Sequence, residues 1–227
     1  MPVALKIHSL EQINFLNGLS TATQESIIPL LEKHNLPKGS RLYRSGELAN
    51  LVFFLVEGRI KVGTYSEEGK EIIKTIVYPG EMFGELGLAG ETLHANFARA
   101  MNEKVTFYTM RVEDALFLMS NNSELSFKVM THIGSRLRGT ERRLESLIFN
   151  DARTRIVDFL KDTAKKRGIK VGYEILIKKC LTHQEIANIT ATSRQTVTIV
   201  LNELKKQDLI YIYNRNNILI RDIKALK

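Results

Sequence analysis

The segment Leu181–Leu204, LTHQEIANITATSRQTVTIVLNEL, is punctuated as two short helices around a tight turn. Thr182 can cap the first helix, and Glu185 stands at the capping-box spacing behind it. Ile186, Ala187 and Ile189 give that helix an apolar side. Thr190, Ala191 and Thr192 continue a helix poorly and are the expected turn. Ser193 can cap the second helix, where Val197, Val200, Leu201 and Leu204 recur at helical spacing and face inward. The outward set is then Arg194, Gln195, Thr198, Ile199 and Asn202.

Those outward groups have a definite chemistry. Arginine bonds bidentately to O6 and N7 of guanine, glutamine to N6 and N7 of adenine, and a threonine methyl or an isoleucine packs on a thymine methyl. They stand at the start of the second helix, the end that enters the major groove in helix-turn-helix proteins. An ordinary helical hairpin with a solvated face is the plain alternative. The two caps, the turn spacing and the distribution of charge favour the helix-turn-helix.

Residues 1–150 carry 17 Lys+Arg against 17 Asp+Glu, whereas residues 151–227 carry 16 against 8, so the last third holds the whole net charge of +8. A basic segment tied to a neutral one fits a polyanionic partner met by the basic part alone. No apolar run approaches the ~18 residues of a membrane span, and the N-terminal residues lack a signal-peptide pattern. A cytoplasmic protein with no membrane partner is expected. Cys180 is the single cysteine, which excludes an internal disulfide and a cysteine-based metal cluster.

Before the basic segment the chain changes character twice. Residues 1–35 read as helical, with Leu10, Ile13, Phe15, Leu16 and Leu19, a turn and cap at Ser20–Thr23, and a second apolar face of Ile27, Ile28, Leu30 and Leu31. From Leu36 to about Val112, runs such as LVFFLVEG, RIKVGTY, EIIKTIVY and VTFYTMR alternate with glycine turns, and EEGKE is a hairpin turn. Short strands at that spacing imply a β-sandwich or roll, filled by side chains or enclosing a small ligand. VEDALFLMS is a short helix. A long one follows, in which Met130, Ile133, Leu137, Thr140, Leu144 and Leu147 step by alternating threes and fours. That narrow seam predicts a coiled coil with a second copy, with Thr140 facing the partner chain, to set register or to touch a ligand near the dimer axis. Asp151 caps a further helix ended by Gly168. EILIKKC is a strand, and LIYIYNRNNILI is a hairpin, the wing of a winged helix, with Arg215 at its tip able to touch phosphate. The expected division is 1–120, 121–150 and 151–227.

By its motifs the chain resembles the CRP/FNR family of bacterial transcription regulators (cyclic-AMP receptor protein and fumarate–nitrate regulators). GEMFGELGL, Gly80–Leu88, resembles the family's phosphate-binding cassette; LTHQEIA, TSRQTV and the following leucine resemble its helix-turn-helix; LIFNDA resembles its hinge. The resemblance implies an α+β architecture: an N-terminal cyclic-nucleotide-binding-like β-roll (jelly-roll), a long dimerisation helix and a C-terminal winged helix-turn-helix. It implies a homodimer on a palindromic double-stranded DNA operator, with RNA polymerase as a further partner. Arg194 matches the guanine-reading arginine; Gln195 replaces a common glutamate and shifts preference towards adenine; Ile199 stands where many members have a second arginine. Thr182 and His183 match backbone-contacting positions, and Ser193 and Thr198 join them. Ala191 replaces a frequent turn glycine; alanine fits a helical or bridge conformation and is disfavoured in a left-handed one.

In the roll, Gly84, Glu85 and Leu86 match the effector-binding cassette, and Thr140 matches the helix threonine near the purine. His94 and Ala95 stand where cyclic-AMP-binding members have an arginine–serine pair on the cyclic phosphate. Losing that arginine removes a charge-assisted bond, and a histidine near pH 7 is mostly neutral. The residues therefore weigh against a cyclic nucleotide. Alternatively Glu85 pairs internally, with Arg99, and the roll is closed or takes another small molecule. No definite cofactor is called for, and haem has no diagnostic spacing among His8, His34, His94, His132 and His183, most of which read as surface residues. No nucleophile–base pair or paired carboxylates indicate an enzyme. A sensor whose winged helix docks a protein instead of DNA is the remaining alternative.

Overall fold

The fold is described from a computed structural model, which covers residue 13, residues 15–213 and residues 216–226. Leu10, His8 and the wing-tip Arg215 lie outside the described residues. The chain divides into two compact units, 1–138 and 139–227.

Among the described residues of the first unit the first helix is α1 (Thr21–Ile27), whose N-cap Ser20 accepts from the Thr23 amide. The helical reading to residue 35 is too long. Pro29 has no N–H to continue the ladder, so the chain passes through a 3-10 turn at Ile28–Leu30 and becomes β1 (Glu32–Pro37). Seven strands follow: β2 (Arg41–Tyr43), β3 (Leu51–Glu57), β4 (Ile60–Tyr65), β5 (Glu71–Val77), β6 (Met82–Phe83), β7 (Phe97–Ala100) and β8 (Lys104–Arg111). They form two four-stranded sheets, ordered β1-β8-β3-β6 and β2-β7-β4-β5, with antiparallel pairings. The expected strands are β3, β4, β5 and β8. β1, β2, β6 and β7 were not expected, because EKHNLP and FARA lack an apolar alternation long enough to read.

LVFFLV is apolar throughout because β3 is buried on both faces. Phe53 and Leu55 join Tyr43, Ile60, Val62, Val77, Phe83 and Phe107 in the roll interior. Val52 and Phe54 point the other way, into a layer built from Phe15, Leu16, Ile27, Tyr108, Met110 and the helices that follow. Those helices are α2 (Val112–Asn121) and α3 (Ser123–Phe149).

The second unit contains the last turns of α3, then α4 (Ala152–Arg167), β9 (Ile169–Val171), β10 (Glu174–Ile177), α5 (His183–Thr190), α6 (Arg194–Lys206), β11 (Ile210–Tyr213) and β12 (Asn217–Ile220). Asp151 caps α4 through the Thr154 amide at 2.7 Å. Gly168 does not end α4 in a left-handed conformation; its φ is −69°. It is needed for space, since a Cβ there would stand 2.3 Å from Ala164 O and 2.2 Å from Ile175 Cγ2. The four-stranded sheet β11-β12-β10-β9 carries the wing hairpin, and Ile156, Val157, Leu160, Ile186, Val197 and Leu201 are buried in this unit.

Candidate nucleic-acid interface and effector site

The helix pair is built as its residues dictate. Thr182 and Glu185 close a full capping box: the Glu185 amide bonds Thr182 Oγ1 at 3.3 Å, and the Thr182 amide bonds Glu185 Oε2 at 2.8 Å. Ser193 accepts from the Thr196 amide at 3.0 Å. Val197, Val200, Leu201 and Leu204 are buried, while Ser193, Arg194, Gln195, Ile199 and Asn202 are exposed at the surface. Two details differ from the reading of the residues. Thr190 is not in the turn; it is the last residue of α5, buried, with its hydroxyl bonded to Ile186 O at 2.7 Å. Ala191 is neither helical nor bridging, for its φ and ψ are 51° and 52°. The turn keeps the left-handed geometry although the residue there has a Cβ.

His183 and Thr198 are half-buried and face each other, Nδ1 to Oγ1, at 2.9 Å. The Thr198 hydroxyl donates to Arg194 O at 3.0 Å. Its oxygen therefore accepts from His183 Nδ1–H, and the outer nitrogen Nε2 of the neutral ring is an acceptor. Burial, with the Arg194 charge second, holds the His183 pKa below its ordinary value.

In the roll, Gly84 has φ +80°, and a Cβ would stand 2.8 Å from Phe53 and 2.9 Å from Leu51 O. Only glycine meets both demands. This turn delivers Glu85 into the protein, where it is 7% exposed and pairs with Arg136 Nε at 3.2 Å. Arg136 Nη2 also donates to Met82 O at 3.3 Å. The expected pairing with Arg99 is not made. Arg99 alternates along β7 with the core residues Ala98 and Ala100, so it stands on the other face of the strand, its guanidinium 5.7 Å from the Phe97 ring centre. Leu86 and Ala95 are exposed.

His94 is also 7% exposed, stacked on Tyr43 with ring centres 3.6 Å apart. Burial lowers its pKa, against a smaller opposing effect of Glu47. Burial and the Glu85 carboxylate push the Tyr43 phenol up. Of the four described histidines only His34 is exposed, which corrects their reading as mostly surface residues. His132 is half-buried against the edge of Phe15, and burial lowers its pKa too. Among the described residues no group of three His, Cys, Asp or Glu side chains is placed to hold a metal ion.

A family model described as the cyclic nucleotide-binding domain matches residues 33–122, and one described as the Crp-like helix-turn-helix domain matches residues 154–227. The chain is 30% identical over 208 residues to the cAMP-activated global transcriptional regulator CRP of Pasteurella multocida, covering 85% of this chain and 95% of that protein. It belongs to the CRP/FNR family of transcription regulators. The CRP-like cAMP-activated global transcriptional regulator of Mycobacterium tuberculosis is 25% identical over 217 residues, 96% of each chain. Among solved structures, a mutant of CooA from Carboxydothermus hydrogenoformans superposes with a TM-score of 0.77 at 26% identity, over 95% of this chain and 93% of that one.

The seam residues of this CRP/FNR regulator divide between two surroundings. Met130, Leu137, Thr140, Leu144 and Leu147 are exposed on α3. Ile133 departs from the expected seam: it is partly buried and packs with Leu125 and Val129 against the core of the first unit. Thr140 lies in the second unit by the division of the chain. Arg136, Tyr43, Arg143 and Arg155 were not singled out as site residues. Arg136 did carry a signal, since it stands one helical turn before Thr140. Arg155 carried none, because two of its bonds go to carbonyls far along the chain, those of Thr190 and Ala191.

Proposed function

We propose that this regulator acts as a dimer that binds a palindromic DNA operator and that a small molecule in the roll controls the binding. Arg194 and Gln195 read base edges, with Ile199 and Asn202 beside them, while Ser193, Thr198, Thr182 and His183 set the backbone. The observation that carries the reading is the exposed Arg194–Gln195 tip at the capped start of α6, on the segment that holds the whole net positive charge. The open stripe of Met130, Leu137, Leu144 and Leu147 supports the dimer. In this reading residues 1–120 are the sensor, 121–150 the dimerisation helix and hinge, and 151–227 the DNA-binding domain. RNA polymerase is the expected further partner.

The effector position proposed within the roll comprises Gly84, Glu85, Leu86, His94 and Ala95; the family resemblance alone adds Thr140. A buried, neutral His94 in place of a guanidinium, and a Glu85 already paired with Arg136, favour an effector other than a cyclic nucleotide. No described helix is long and apolar enough to cross a membrane.

Selection from random oligonucleotides tests the DNA reading. The expected product is a two-fold site with half-sites about one helical turn apart. Enrichment of no two-fold site would sink the reading and turn attention to a protein partner for the winged helix.

A further inference from the structure

The carbonyl end of α5 is held by two arginines from two other elements. Arg155, in the first turn of α4, donates from Nε to Thr190 O at 2.9 Å and from Nη2 to Ala191 O at 3.1 Å. Its Nη1 donates to Asn150 O, in the link between α3 and α4, at 2.7 Å. Arg143, on the last turns of α3, donates to Ile189 O. The last carbonyls of a helix have no donors of their own, and three consecutive ones here receive guanidinium N–H groups. Two cations also face the negative end of the helix dipole. The next residue along is Ala191, left-handed at φ 51°, a conformation that disfavours any residue with a Cβ. Arg194 and Gln195 follow three and four residues later, so a small rotation at Ala191 moves both.

We infer that Arg155 and Arg143 are positioning residues for DNA recognition: they clamp the turn at Ala191 in its left-handed form, fix how α6 leaves α5, and tie that turn to Asn150 and the end of α3. The inference rests on the DNA-binding reading. Neither arginine needs to touch DNA. An ordinary helix cap would bond one or two carbonyls from a neighbouring residue; this one joins three segments through one guanidinium and adds a second from α3.

The test uses the full chain and a palindromic duplex selected with the unsubstituted protein. Arg155→Ala should weaken operator binding at least tenfold while far-UV circular dichroism stays unchanged. Arg155→Lys keeps the charge but not the planar fork, and should recover only part of the loss. Adding Ala191→Gly to Arg155→Ala should recover several-fold, because glycine adopts the left-handed turn without the Cβ penalty that the clamp offsets. Amide exchange supplies a readout without DNA. The Thr192 amide, bonded to Ala187 O at 3.0 Å, should exchange at least tenfold faster in Arg155→Ala, with Val200 in α6 unchanged. Binding within twofold for both Arg155→Ala and Arg143→Ala, or no recovery from Ala191→Gly, would overturn the inference. The two readings fail separately. If the unsubstituted protein selects no duplex but Thr192 exchange accelerates, the DNA reading falls and the turn clamp stands. If it binds DNA and Thr192 exchange in Arg155→Ala is unaltered, the clamp falls and the DNA reading stands.

Discussion

The His183–Thr198 pair makes the proposed backbone contact depend on pH. In the free protein the outer nitrogen of His183 is an acceptor, whereas a phosphate oxygen needs a donor there. Contact therefore requires a proton, and a phosphate alongside raises a pKa that burial had lowered. Operator affinity should rise as pH falls from about 8 to about 6, and His183→Gln should flatten that slope. Equal slopes at fixed salt would remove His183 from the interface. Arg194 acts differently, through bidentate bonding to a base edge. Arg194→Ala should cost about 1–3 kcal/mol and relax preference at one base pair, read by titrating the selected site and its single-position variants. In the roll, His94 has a folded-state pKa below its unfolded one. The unfolded chain then binds more protons in acid, so the stability held by the neutral, stacked ring is present above the unfolded pKa, about 6.5, and is lost as pH falls through it. His94→Gln should reduce the loss in denaturation midpoint between about pH 7.5 and pH 5.5. His132 shifts the same way and leaves a residual slope.

Among the elements, α3 serves two surfaces. Leu125, Val129 and Ile133 recur at i, i+4, i+8 and pack inside the first unit, while Met130, Leu137, Leu144 and Leu147 form an open stripe. That open stripe is legible in the sequence because Met130, Leu137 and Leu144 stand seven residues apart. The inner stripe was missed because it occupies only the first half of the helix. Leu144 is 58% exposed in the single chain, so Leu144→Asp leaves the chain's own core intact and places a charge in the proposed interface. Native mass spectrometry should show a dimer for the unsubstituted protein and a monomer for this variant. A variant that stays dimeric would move the interface elsewhere. β1 shows the opposite failure. EKHNLP has no apolar alternation of its own, and it is a strand because β8 offers it an edge from Thr109 to Lys104.

For the whole molecule, the separation of charge is the property that matters. The net +8 lies in the last third of the chain, so binding of that part to duplex DNA should release counterions. The logarithm of affinity should fall linearly with the logarithm of salt concentration, with a slope that counts the phosphates neutralised. A flat salt response would favour a protein partner for the winged helix. What the order of residues settled was local. Caps at Thr182, Ser193 and Asp151, the inward stripe of α6, the strands β3, β4, β5 and β8, and the charge division all follow from spacing and side-chain chemistry that act within a few residues. What required the folded chain was every pairing across long separations: Glu85 with Arg136 and not Arg99, His94 against Tyr43, Arg155 on the carbonyls of Thr190 and Ala191, and Ile133 turned into its own core. Periodicity reports which face of an element a residue occupies. It carries no information about which other element will be brought against that face, and that is decided by packing.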